Sequence, residues 1–178
     1  MDNTFYQIKV YDEKYLINFV ENNEAEKFSF FESRILLDKT KILGVTINKI
    51  YNEIVKIEIS ENYQRSFRYM NYLINDYKVN RWIKRKAIIQ LNQNLSNAIE
   101  ISIKCLFYIN GKYSPAEDRA LYFSFELEKK PENYKEIIID LLLVKELTLV
   151  RYMEKEKLFK DRIVEYIKQE WVEVEKAV

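Results

Sequence analysis

The stretch NRWIKRKAIIQLNQNLSNAIEISIKCLFYING, residues 80–111, decides the fold. Apolar and small side chains recur in it at steps of three and four residues, which places them on one face of an α-helix. We therefore predict one long helix over residues 80–109 at the centre of a helical bundle, with Asn110-Gly111 as its C-terminal cap. The buried face should comprise Ile88, Leu91, Leu95, Ala98, Ile99, Ser102, Leu106 and Ile109.

The flanking segments continue the helical pattern. Ser114-Pro115 and Lys130-Pro131 place a proline where helices commonly begin, so one helix should follow each of them. The stretch 147–175 alternates positive and negative side chains on its polar face, which predicts a final helix. Its apolar side chains should lie inward or on a partner: Leu158, Ile163, Tyr166, Ile167 and Trp171. With the periodic segment that starts at residue 41, these signals predict about five helices in residues 41–178.

The first forty residues have a different pattern. Apolar side chains alternate with polar ones in two short runs, and a third apolar run covers residues 28–37, which is typical of strands. We predict an α+β fold that is mainly α: a small N-terminal antiparallel β segment in residues 1–40, followed by the helical bundle of residues 41–178. The alternating residues are Tyr6, Ile8 and Val10 in the first run and Tyr15, Ile17 and Phe19 in the second.

The composition excludes several classes of chemistry. The chain contains no His, which rules out a Ser-His-Asp triad or a His-ligated zinc. Its 2 Gly residues cannot form a Gly-rich phosphate loop. The adjacent acids Asp12-Glu13 and Glu117-Asp118 are interpreted as surface and helix-dipole groups rather than metal ligands. We predict no catalytic residue, no metal and no cofactor.

Cysteine usage and hydropathy predict the compartment. The single Cys105 cannot form an intramolecular disulfide, and the N-terminus lacks the pattern of a signal peptide. No apolar run reaches the roughly 20 residues of a membrane span. These features predict a cytoplasmic protein outside the membrane.

One basic cluster, Arg81-Trp82-Ile83-Lys84-Arg85-Lys86, combines four cations with an indole ring. This is the local chemistry of phosphate contact and base stacking, so it is a candidate nucleic-acid patch. The alternative, which we favour, is that the cations pair with nearby acids. The overall charge supports the alternative, because 29 Lys and Arg against 28 Asp and Glu give no general attraction to polyanions.

Residues 105–115, CLFYINGKYSP, resemble the helical C-terminal region of bacterial nucleotidyltransferase-like proteins. In those proteins a long helix ends in an aromatic-rich turn, and a Pro-Glu pair later begins another helix. Residues 32–39, ESRILLDK, resemble the strand end that closes the catalytic sheet of the same proteins. The matching residues in the turn and restart are Phe107, Ile109, Asn110, Tyr113, Pro115 and Pro131-Glu132.

The resemblance implies that this chain lacks the metal-binding motif of those proteins. Such proteins hold Mg²⁺ with paired acids after a Gly-Ser turn, and this sequence contains no Gly-Ser pair. A third acid comes from a later strand, and the corresponding position here is Asn18. We therefore predict a truncated or degenerate nucleotidyltransferase-like protein that binds a substrate or partner without catalysis of its own.

The turn after the long helix is the predicted binding site, because Asn110, Lys112 and Tyr113 offer an amide, a cation and an aromatic face. Alternatively, Asn110 only caps the helix and Tyr113 packs onto it. Two further functions stay open: a substrate-binding subunit whose catalytic acids come from another chain, and a nucleic-acid-binding bundle using Arg81, Trp82, Lys84, Arg85 and Lys86.

Self-association is also predicted. A sheet remnant that has lost its leading strands would leave an unpaired edge, which a second copy could cover. We predict a homodimer through the N-terminal strands.

Overall fold

A computed structural model describes residues 55–176 without interruption, together with residues 12, 18, 27–29, 32, 35–37, 39, 41 and 44–45. A π-helical turn, Lys160–Val164, joins the last two helices into one continuous helical segment. The helices are α1 Val55–Leu73, α2 Asp76–Lys84, α3 Ile88–Ile109, α4 Glu117–Ser124, α5 Tyr134–Leu142, α6 Leu149–Phe159 and α7 Glu165–Lys176.

The predicted α+β fold class is wrong. Helices account for 74% of the chain, and the described residues contain no strand. Within the predicted third strand, residues 27–29 are helical, and the Glu32 N–H donates to the Phe28 carbonyl at 3.1 Å, the bond of a helical turn. Asn18, in the predicted second strand, is helical as well. The other predicted strand residues, apart from Asp12, Glu32, 35–37 and 39, lie outside the described part of the chain.

Packing explains the helical state of residues 27–29. The Phe28 ring lies edge-on to Phe107 with ring centres 5.8 Å apart, and 5.5 Å from Phe123. A short apolar run fits a buried helix as well as a strand, so contacts with the bundle decide between them. The predicted dimer through an N-terminal antiparallel β segment is therefore not supported. The predicted domain boundary between residues 40 and 41 stays a prediction.

The predicted single helix over residues 80–109 is two helices. The chain leaves the helical path after Arg85, and Lys86 adopts a left-handed conformation with φ of 54°. The Ala87 N–H donates to the Trp82 carbonyl at 3.1 Å and the Lys86 N–H to the Ile83 carbonyl at 2.9 Å, the two bonds of a Schellman cap. The cap usually contains Gly or Asn at the left-handed position, so a Lys there gave no sequence signal.

Helix α3 forms the centre of the molecule, as predicted. Each of the other six helices contacts it. The predicted face is confirmed, because seven of its eight residues are buried and Ile88 is half-buried. None of the described helices combines the length and apolar character that crossing a membrane requires.

Substituting Asp for Leu95 should destabilise the fold severely. Leu95 is 2% exposed, and an unpaired carboxylate among apolar neighbours costs several kcal/mol of the roughly 5–15 kcal/mol that stabilise a domain. Ile89→Asp is the matched control, since Ile89 lies on the same helix with 72% of its surface exposed. Urea unfolding should give a much lower midpoint for Leu95→Asp only; similar midpoints for both variants would show that the helical face is wrongly assigned.

Candidate functional site

The turn after α3 uses the Asn110 side chain within the chain itself. Its Nδ2 donates to the Leu106 carbonyl at 2.7 Å and to the Lys129 carbonyl at 2.8 Å, and its Oδ1 accepts the Lys129 N–H at 2.8 Å. Gly111 follows with φ of 69°, a left-handed conformation that glycine adopts without strain. Asn110 therefore caps α3 and fastens the turn to the segment that precedes α5.

Lys112 and Tyr113 both contact acidic side chains, one before α1 and one in its first turn. Lys112 Nζ lies 2.7 Å from Glu32 Oε1, and each of these side chains is 46% exposed. Tyr113 is 2% exposed, and its hydroxyl donates to Glu58 Oε2 at 2.5 Å. The three predicted turn residues are thus neighbours, but they point to three different partners, and Tyr113 presents no face to solvent.

A buried ion pair beside Tyr113 was not predicted. Lys27 Nζ donates to the same Glu58 Oε2 at 2.6 Å and lies 5.2 Å from the centre of the Tyr113 ring. Lys27 is 5% exposed, so its charge depends on Glu58 for compensation. Glu58 lies in the first turn of α1, where the helix dipole favours a negative charge. Lys27 and Glu58 are 31 positions apart along the chain, and Tyr113 and Glu58 are 55 positions apart. No local sequence pattern therefore predicts the cluster.

The basic patch lies at the C-terminal end of α2 and in the cap that follows. The guanidinium carbons of Arg81 and Arg85 lie 5.2 and 5.3 Å from the centre of the Trp82 ring. The nearby acid Asp76 pairs with Lys160 at 3.0 Å. In the described ranges, none of the four patch cations (Arg81, Lys84, Arg85 and Lys86) has a carboxylate within 4.0 Å.

Trp82 adds a second unusual feature to the patch. Its Nε1 and the Arg81 Nε are both buried and find no hydrogen-bond partner among the described residues. The expected pairing of the cations with acids is thus not found there. Because the patch lies at the C-terminal end of α2, its positive charge also interacts favourably with the helix dipole.

A run of exposed apolar side chains, also missed from the sequence, extends over the end of α5, the connection to α6 and the start of α6. All nine residues from 142 to 150 are exposed. The exposed fraction is 57% for Val144, 50% for Leu147 and 69% for Val150. We define the apolar surface as Ile139, Leu142, Leu143, Val144, Leu147, Leu149, Val150 and Met153.

Polar contacts hold both ends of this surface in place. Lys155 Nζ donates to the Leu141 carbonyl at 2.9 Å and to the Leu143 carbonyl at 2.7 Å. Burial, together with the charge of Arg151, lowers the pKa of the Lys155 ammonium. Arg151 reaches Asp140 Oδ1 at 2.6 Å, and its N–H donates to Thr148 Oγ1 at 3.2 Å. The connection is therefore anchored, and its apolar side chains are exposed by the fold.

A groove of about 820 Å³ adjoins the apolar surface. Helices α1, α3, α4 and α5 form its walls, and Leu142 belongs both to the groove and to the apolar surface. Arg65 and Glu100 line it, are exposed, and have no ion-pair partner in the portion of the chain described. Tyr69, Ile101 and Leu121 supply apolar lining.

Metal chemistry has no ready site in the described residues, since no three His, Cys, Asp or Glu side chains come close enough to share an ion. Glu13 and the side chains of Glu117 and Asp118 lie outside the described part. The chain matches no family model, no curated protein and no solved structure.

Replacing Glu58 by Gln should cost stability by about 1–3 kcal/mol. The buried Lys27 ammonium would lose its counter-charge, although partial exposure of Glu58 moderates the penalty. Glu32→Gln is the matched control: it breaks a Lys–Glu pair of nearly equal length, 2.7 Å, that is exposed and should cost less than about 1 kcal/mol. Urea unfolding measures both, and equal losses would contradict a buried pair at Glu58.

Proposed function

We propose that this chain is an interaction domain that acts by binding a protein partner through its apolar surface. The observation that carries the proposal is the exposure of eight apolar side chains on the anchored connection and on the adjoining ends of α5 and α6. Contiguous exposed apolar surface is characteristic of protein-binding sites, whereas isolated exposed apolar residues are ordinary.

The anchoring contacts support this proposal. The Lys155 ammonium group is buried and donates to two carbonyls at the end of α5. Burying a charged group costs free energy unless hydrogen bonds compensate it, so these two bonds fix the position of the connection. Arg151 fixes the start of α6 to Asp140. A surface held in one conformation before binding loses less conformational entropy when the partner arrives.

The resemblance of residues 105–115 and 131–132 to nucleotidyltransferase-like proteins is compatible with such a role. On that resemblance, the chain is a truncated or degenerate member that binds, and a variant of the proposal makes it the substrate-binding subunit of an enzyme whose catalytic acids come from another chain. Nucleotidyl transfer by the purified chain with Mg²⁺, abolished by substituting one of its own acids, would contradict both versions.

The apolar surface should be dispensable for folding. Leu143→Ser and Leu147→Ser should each change the free energy of unfolding by about 0.5 kcal/mol or less, as exposed substitutions usually do. Leu141→Ser is the matched control, because Leu141 is 3% exposed two residues earlier and its truncation should cost several kcal/mol. Urea unfolding at high dilution, where association is negligible, measures all three. Losses as large as that of Leu141→Ser at both positions would assign the surface to the fold and defeat the proposal.

A second candidate function is single-stranded nucleic-acid binding at the basic patch. The observation in its favour is that the patch cations have no acidic partners in the described residues, while two of them flank Trp82. Guanidinium groups that are not neutralised can contact phosphates, and the indole can stack on a base.

This second function predicts salt-dependent binding of a single-stranded oligonucleotide. With about four phosphate contacts, log K should fall against log salt with a slope of roughly −3. Arg85→Glu should weaken binding at least about tenfold, whereas Lys157→Glu, at an exposed cation on α6, should leave it nearly unchanged. Fluorescence anisotropy provides the measurement, and affinity that is insensitive to Arg85→Glu would exclude the patch.

A further inference from the structure

We propose that the protein partner is a second copy of this chain, in a two-fold dimer where the connection of each copy, residues 143–148, lies in the groove of the other. The inference rests on the proposed interaction role of the apolar surface and names its partner. It replaces the dimer through N-terminal strands that the sequence suggested.

The placement of the two features favours a reciprocal contact. The connection projects its apolar side chains into solvent, and the groove beside it offers apolar lining at Ile101 and Leu121. Leu142 belongs to both features, so they are adjacent on one face of the molecule. A two-fold axis close to Leu142 would place each connection over the groove of the partner, and a two-fold operation repeats every contact.

Charge complementarity identifies the second copy as the occupant. The connection carries Lys145 and Glu146, which are exposed and unpaired within the described ranges. The groove carries Arg65 and Glu100, which have no ion-pair partner in the described residues, and a third charged side chain, Lys104. In the reciprocal dimer Glu146 faces Arg65 and Lys145 faces Glu100 across the interface. Neutral pairing of this kind fixes the register of an interface and disfavours partners with other charge patterns.

The apolar part of the contact supplies the attraction. Leu143 and Leu147 bracket the two charges along the connection, with exposed fractions of 48% and 50%. In the groove they would leave water and contact Tyr69, Ile101 and Leu121. The charged pairs then lie at the rim, the usual arrangement of an apolar interface core surrounded by polar groups.

Light scattering and sedimentation at micromolar concentration test the dimer. The wild-type chain should have twice the monomer mass. Arg65→Glu and Glu146→Arg should each raise the dissociation constant at least about tenfold, because each places like charges together. The double variant Arg65→Glu with Glu146→Arg should recover most of the affinity. Arg68→Glu is the control, since Arg68 lies exposed on the same helix outside the groove and should leave the mass unchanged.

Three outcomes would overturn the inference: a monomeric wild-type chain, a dimer insensitive to both single reversals, or a double variant no better than the singles. Circular dichroism confirms that each variant keeps its helical content. The dilute unfolding data for Leu143→Ser and Leu147→Ser separate the two proposals. A monomer whose apolar surface is dispensable for folding refutes only the second copy as partner, whereas a surface required for folding refutes the interaction role itself.

Discussion

The whole structure depends on the packing of six helices around α3. Twelve of the residues of α3 are buried, and the five from Cys105 to Ile109 are consecutive. A helix whose every face is buried in its last turns cannot also offer a binding face. Recognition must therefore use the outer helices, their connections, or the earlier turns of α3 that line the groove.

Two lysines illustrate how the outer elements are fixed to this core. Lys27 is buried against Glu58 and the Tyr113 ring, which holds the N-terminal segment against the turn after α3. Lys155 is buried against two carbonyls at the end of α5. Each ammonium group is compensated by acceptors from a different element, so both act as cross-links that position peripheral segments. The apolar surface owes its exposed orientation to the second of these contacts.

Sequence patterns correctly predicted the features that depend on neighbouring residues, such as the position and the end of the central helix. The periodicity of Leu95 and Leu106 located the central helix, and Asn110-Gly111 correctly located its end. The helical conformation of residues 27–29 depends on the contact between Phe28 and Phe107. These residues are far apart along the chain, so no short-range pattern predicts the contact. The cap at Lys86 depends on a left-handed conformation in a residue that rarely adopts it. The turn after α3 was predicted at the correct position. The Tyr113 side chain is buried there because its hydroxyl donates to Glu58, 55 residues away, which the sequence pattern could not show.

The nearly neutral chain makes local complementarity the main source of specificity. With a net charge of +1, no long-range field directs a partner to any one face. Two sets of charges that lack an ion-pair partner in the described residues lie at the surfaces proposed for binding: the four cations around Trp82, and the opposite charges of the connection (Lys145, Glu146) and the groove (Arg65, Glu100). The first set is of one sign and suits an anion. The second set is balanced and adjoins apolar side chains, so it has little affinity for a polyanion and suits a surface that carries the same balance, such as that of another copy of the chain.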